Sequence, residues 1–171
     1  MPSMILLPDG SSGHTYHWAV NTGTHEDALG SDDGDTSYVA CSANNRQLIL
    51  TYANPSVAEA DIASIADVTF VSSGRSTDRS NPALVDIAFA APTAGFSETA
   101  SYNAHAFSYE TILGTERTTS DGSNAWTYSD LENLQMKCTK NSTVQVRLSY
   151  LVLRISYIAA VDNAIFFGTN F

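Results

Sequence analysis

The residues STVQVRLSYLVLRISYIAAV, 142 to 161, constrain the fold more than any other stretch of the chain. They are rich in β-branched and aromatic side chains and contain neither Pro nor Gly, the composition of a strand. Val144, Val146, Leu148, Tyr150 and Val152 fall on one face, while Leu151, Leu153, Ile155 and Tyr157 fall on the other. A strand apolar on both faces has to be central and covered on both sides, or long enough to exchange its exposed face partway.

Shorter strands precede it. DVTFVSS (67 to 73) and PALVDIAFAAP (82 to 92) have the same composition, and in the second Val85, Ile87 and Phe89 alternate with Leu84, Asp86 and Ala88. That period of two marks a half-buried strand. Gly, Ser, Asn, Asp and Pro clusters such as SSGRSTDRSNP, APTAGFSET and GTERTTSDGSN separate the strands, so the chain reads as an all-β sandwich or barrel. One helical signal interrupts this pattern. In AWTYSDLENLQMKC, Thr127 fits an N-cap with Asp130 three residues on, and Leu131, Leu134 and Met136 or Cys138 supply a short apolar stripe. One short helix is therefore expected around 127–137, laid across an open end of the sandwich. PSVAEADIASIADV has partly helical spacing at Val57, Ile62 and Ile65 but leads equally well straight into a strand.

A chain of 171 residues forms one domain with enough apolar surface for its own core. Charged residues are only 15% of the chain, against about 25% in an average domain, and Ser, Thr, Asn and Ala replace them. Eighteen acidic and eight basic residues give a net charge of −10, and the basic ones are scattered. Nucleic acid is thereby disfavoured as a partner, because phosphate contacts need clustered Lys and Arg. No basic amphipathic stretch or long apolar run suggests a membrane either. The opening MPSMILLPDG has too short an apolar run and no positive segment for a secretion signal, so synthesis in a cytoplasm without export is expected. Cys41 and Cys138 form no metal-binding spacing; a disulfide or two buried thiols both fit them.

Both ends read as extended arms on a sandwich spanning 11–161. Residues 1–10 carry Met4, Ile5, Leu6 and Leu7 before the turn Pro8-Asp9-Gly10. Residues 162–171 carry Ile165, Phe166, Phe167 and Phe171 beyond the last strand. Apolar groups at a terminus often mark contacts with another chain, so these eight side chains are the candidate partner-binding residues; packing of the tail on its own core is the bland alternative.

The acidic run EDALGSDDGDTSYV, 26 to 39, raises the question of a cation. An EF-hand needs Gly at its sixth position and Glu at its twelfth. Counted from Asp33 those positions hold Tyr38 and Asn44, so the match fails. Asp32, Asp33 and Asp35 then read mainly as turn chemistry leading into a strand, with a cation held by them and backbone carbonyls as the alternative. His14, His17, His25 and His105 lack a metalloenzyme spacing and read as polar loop residues. No nucleophile elbow, phosphate loop or dinucleotide motif occurs, and Glu98 with Glu110 is a glycosidase pair only in the sense that any two carboxylates are. Neither an enzyme nor a cofactor is expected. Tyr102, Phe107, Tyr109, Trp126 and Tyr128 lie in or beside loops and are candidates for stacking on sugars, although Trp126 suits a core anchor before the capped helix.

Several of these segments together resemble a family of tailed-phage virion proteins. The residues that carry the likeness are the acidic signature DDGDTSYV (Asp32 to Val39), the strand ADVTFVSSGR, Ala125, Trp126, Thr127, Asp130, Leu131, Leu134 and Gln135 around the helix, and the strand VRLSYLVLRISYI. SANNRQLILTY after the signature departs from the family pattern. The resemblance implies a jelly-roll-like antiparallel sandwich without catalytic residues. It implies a capsid decoration or cement protein on the virion exterior, bound across major-capsid subunits and to copies of itself as a homo-oligomer, with a trimer favoured. A tail-fibre or head-fibre component contacting host-surface glycans is the alternative.

Overall fold

The computed structural model describes residues 1–92, 95–103 and 108–161, and it is a jelly-roll-like β-sandwich. The strands are β1 (Ser3–Leu6), β2 (Pro8–Gly13), β3 (Trp18–Val20), β4 (Val39–Cys41), β5 (Gln47–Tyr52), β6 (Ile62–Ser76), β7 (Ala83–Ala91), β8 (Gly95–Tyr102), β9 (Glu110–Leu113), β10 (Gln135–Lys140) and β11 (Val146–Ala159). Two short helices, α1 (His25–Leu29) and α2 (Tyr128–Glu132), lie between strands. A six-stranded sheet runs β3-β4-β11-β6-β9, with β1 also paired to β11. A five-stranded sheet runs β2-β5-β10-β7-β8. Every ladder is antiparallel.

The C-terminal run behaves as its two-sided apolar pattern demands. It is the central strand β11, flanked by β6 on one side and by β4 and β1 on the other. Val146, Leu148, Leu151, Leu153 and Ile155 are in the core, and Val152, on the outer face of the sheet, is also fully covered. A register shift between Leu148 and Tyr150 changes which residues face inward, so the strand exchanges faces partway as well. The stretch that was ambiguous between helix and strand resolves as a single 3₁₀ turn at Glu59–Asp61 followed directly by β6.

Tyr102 and Tyr52 hold the two sheets together beyond apolar packing. The Tyr102 hydroxyl donates to Ser72 Oγ at 2.8 Å and the Tyr52 hydroxyl to the Leu151 carbonyl at 3.3 Å. Gly74 makes room for the first bridge: a Cβ there would lie 2.6 Å from Leu148 and 2.8 Å from the Tyr102 ring. Cys41 on β4 and Cys138 on β10 are both free thiols, buried in different sheets.

Two expectations need correcting. Residues 1–10 are not an arm. Strand β1 pairs with β11 and β2 with β5, and Met4 and Leu6 are 6% and 1% exposed in the core. The period of two in SMIL buries every second residue, leaving only Ile5 and Leu7 of that group exposed. The helix expected around 127–137 is the single turn α2, closed by the Thr127–Asp130 capping box, and Gln135 already begins β10. Strand pairing of Met136 and Cys138 with both β5 and β7 outweighs any continuation of a short helix. The C-terminal arm, with Ile165, Phe166, Phe167 and Phe171, lies outside the described residues.

Candidate functional site

Strand periodicity sends one residue set of the five-stranded sheet into the core and the other to its outer face. On β7, Val85 and Ile87 go inward, leaving Asp86 and Ala88 outward; on β10, Met136 and Cys138 go inward, leaving Lys137 and Thr139 outward. Strand β8 adds Ser97 and Thr99 to the outer face beside them, in register with Ala88 and Asp86. These strands carry an open groove of about 590 Å³ lined by Asp86, Ala88, Phe89, Phe96, Ser97, Lys137 and Thr139. It crosses three neighbouring strands, a width of roughly 10 Å at the usual strand spacing.

Phe96 owes its place to a bulge. Ala88 pairs with Ser97 and Phe89 with Gly95, so Phe96 is the extra residue between them, with φ at +30°. Side chains rarely adopt such a backbone, and bulges of this kind re-aim a residue out of the alternation. The Arg117 guanidinium lies 4.6 Å from the ring centroid and pairs with Glu98, which fixes one side of the ring.

The polar groups of the groove are complementary in kind. Asp86 accepts from Thr99 Oγ1 at 2.6 Å through one oxygen and from Asn141 Nδ2 at 2.9 Å through the other. An ionised carboxylate has about four acceptor positions, so roughly half remain free. The Lys137 ammonium makes no hydrogen bond or ion pair among the described residues and keeps its three donors. Ser97 and Thr139 contribute hydroxyls that donate and accept. Such a surface can exchange hydrogen bonds with a ligand whose own groups do both, and Phe96, packed on the core with Arg117 over its ring, lines one side of the groove.

The outer face of the six-stranded sheet is occupied instead. Arg75 on β6 and Arg147 on β11 stand side by side in register. Both reach Asp35 Oδ1, at 2.9 and 3.1 Å, and the Tyr109 hydroxyl donates to the same oxygen at 3.2 Å. Arg147 also lies 4.4 Å over the Tyr38 ring, and Ser149 Oγ donates to Asp32 at 3.4 Å. Asp33 binds the Ser37 amide at 2.9 Å and its hydroxyl at 2.8 Å, closing a turn that needs Gly34 at φ +66°. The acidic run is thus a strap laid across the sheet. Asp35 is balanced by two guanidinium groups, and no group of three or more His, Cys, Asp or Glu is arranged to hold a metal among the described residues. Burial, reinforced by the Asp35 charge, raises the Tyr109 pKa above its ordinary value.

The remaining sequence candidates are committed to the scaffold. Tyr102 is buried between the sheets, Tyr109 lies under Arg75 of β6, and Phe107 is outside the described residues. The Tyr128 hydroxyl donates to the Val57 carbonyl at 3.0 Å, and Trp126 Nε1 to the Arg117 carbonyl at 2.7 Å. Trp126 packs edge-on against Phe89, the anchoring role its position before a capped turn suggested. Glu98 is on β8 in one sheet, paired with Arg117, and Glu110 is on β9 in the other, bonded to Asn103. His25 contacts the Trp18 carbonyl, and His105 is outside the described residues. Sequence reading missed Phe96 altogether; APTAGFSET looks like a turn, and only cross-strand pairing shows the bulge. Of the proposed partner contacts, Met4 and Leu6 are unavailable, while Ile5 and Leu7 remain on the surface.

No protein-family model matches the chain, and no curated protein matches it in sequence. Solved structures similar in fold include carbohydrate-binding modules. The CBM36-1 domain of a multidomain xylanase from the hindgut metagenome of Trinervitermes trinervoides superposes with a TM-score of 0.49 at 13% identity, over 93% of this chain and 100% of that one. The module CBM6cm-2 of Cellvibrio mixtus lichenase 5A, in complex with cellotriose, gives 0.43 at 9% identity, over 89% and 100%. A family 11 module from Clostridium thermocellum, in complex with a β-1,3-1,4-mixed-linked tetrasaccharide, gives 0.41 at 12% identity, over 89% and 86%. At these identities the likeness is one of fold. These neighbours are not virion proteins, and the expectation of a capsid cement protein is corrected accordingly. Half of its structural premise fails too, since the N-terminal arm is built into both sheets.

Proposed function

We propose that this chain is a non-catalytic glycan-binding module whose site is the outer face of the five-stranded sheet. The observation that carries the reading is the open groove across β7, β8 and β10, with a half-satisfied carboxylate, an unpaired ammonium, two hydroxyls and the Phe96 ring. Sugar hydroxyls both donate and accept, so they suit this mixture better than a ligand of one sign. Rings such as Phe96 take the apolar face of a sugar. The groove's lining includes one carboxylate, Asp86, which suits binding rather than the paired acids of glycoside hydrolysis.

Calorimetry or a glycan array with the purified chain tests the proposal. Binding of at least one neutral oligosaccharide is expected, weakened about tenfold, or about 1.4 kcal/mol, by Lys137→Met or by Phe96→Ala. Binding that both variants leave unchanged moves the site elsewhere. The resemblance of DDGDTSYV and the Trp126–Gln135 segment to phage virion proteins supports a fibre or adsorption part as the setting. Mass spectrometry of purified phage particles checks that setting, and absence of the chain from them overturns it.

A further inference from the structure

A second set of side chains gathers at one end of the sandwich, on residues that do not line the groove. The turn Thr15–His17, the residues before β5 and the end of β10 meet there around the Arg46 carbonyl, which accepts from Trp18 Nε1 at 3.0 Å and from the Lys140 amide at 3.1 Å. Tyr16 is 74% exposed, with its ring centroid 4.0 Å from that of His17; the His14 ring is 6.3 Å from Tyr16 and 6.5 Å from His17. His14 Nδ1 accepts from the Gln47 amide at 3.2 Å, which assigns the proton of the neutral ring to Nε2 and leaves that nitrogen a donor.

The charge balance here differs from that around four of the arginines. In a protein of net charge −10, Arg75, Arg117, Arg147 and Arg154 each sit on a carboxylate. The Arg46 guanidinium has no carboxylate and no hydrogen bond among the described residues, and its Nε is buried. Burial first, and then the Arg46 charge, lower the His17 pKa. Lys140 itself is fully buried, and among the described residues its ammonium donates only to a neutral acceptor, the Ser142 carbonyl. A planar guanidinium free of carboxylates is shaped for a bidentate anion. An anion alone would need nothing more. The exposed Tyr16 ring, 4.0 Å from the His17 ring in the same turn, offers a flat apolar surface as well, which a ring-shaped ligand uses.

We propose that this end of the sandwich is a second site that binds an acidic sugar, with Arg46 taking its carboxylate, His14 Nε2 donating beside it, and Tyr16 stacking on the sugar ring. The site is independent of the groove, and its occupant differs from the groove's by carrying the charge.

The test follows the His14 and His17 side-chain NMR signals of the full chain while glucuronate, glucose or inorganic phosphate is added. Glucuronate is expected to shift both saturably and at least about tenfold more tightly than glucose. Arg46→Met should abolish the shifts, Arg46→Lys should weaken binding about tenfold by losing the fork, and Tyr16→Ala, an exposed and fold-neutral change, should weaken it about fivefold. Phosphate binding as tight as glucuronate with no effect of Tyr16→Ala would reduce the patch to a plain anion site and overturn the sugar assignment. Absence of a saturable shift overturns it too. Lys137→Met should leave the shifts unchanged; their loss would assign glucuronate to the groove, overturn the second site and leave the groove reading standing.

Discussion

The two outer faces of this sandwich are built from the same kind of strand and end in opposite states. On the six-stranded sheet, the outward residues Arg75 and Arg147 are covered by the strap and share the carboxylate of Asp35. On the five-stranded sheet, the outward residues Asp86 and Lys137 stay uncovered in a groove and are not paired with each other. A charge under a strap is spent on structure, because removing its partner leaves a buried ion. A charge in an open groove costs the fold little and remains available to a ligand. The difference identifies which face can be a binding surface, and mutations can break that assignment in order of size.

The largest effect belongs to neither face but to the layer between them. Leu6→Ala should cost about 2–5 kcal/mol in chemical denaturation, since Leu6 is fully enclosed between the sheets. A cost below about 1 kcal/mol would return the N-terminal segment to the role of a loose arm. Next comes the strap. Asp35→Ala removes the carboxylate that two guanidinium groups share, one of them Arg75 at 8% exposure, and should cost about 1–3 kcal/mol. That is less than for a fully buried pair, because the Asp35 side chain is itself 57% exposed. The same variant should bind glycans as the parent does, and a joint loss of stability and binding would move the site to the strapped face.

On the open face the expectation inverts. Asp86→Asn should change stability by no more than about 0.5 kcal/mol while weakening oligosaccharide binding about tenfold in calorimetry. A large loss of stability there would show the open face to be structural as well. The smallest effect is an absence of reaction. Burial pushes the Cys138 thiol up to about 12 and raises Cys41 as well. With about one Cys138 in 10⁴ ionised near pH 8, neither cysteine should react with a thiol reagent until denaturant is added. Rapid labelling of the native chain would mean that the interior between the two faces opens.

Much of the scaffold was legible because its signals are local. The alternation of Val85, Ile87 and Phe89 gave β7 and its inward face, and the two-sided apolar run gave the central strand β11. Thr127 with Asp130 gave the capping box of α2, and the same T-x-x-D pattern at Thr24–Asp27 caps α1, a helix the acidic composition of that stretch concealed. The candidate site was not legible. Asp86 and Lys137 were ordinary strand residues until the sheet order set their strands side by side, and Phe96 was a turn residue until pairing exposed the bulge. The aromatics that looked free, Tyr102, Tyr109, Trp126 and Tyr128, are each tied by a hydrogen bond to the scaffold.

The sequence by itself determined where strands run and which side chains turn inward, because both follow from a period of two and from turn residues a few positions away. Only the tertiary structure decided the meaning of the acidic run. Asp35 meets Arg75 and Arg147 across 40 and 112 positions of chain, and no local pattern records a pairing made through space. Among the described residues the strap closes over one sheet and leaves the outer face of the other as an open groove lined by Asp86, Lys137, Ser97 and Thr139.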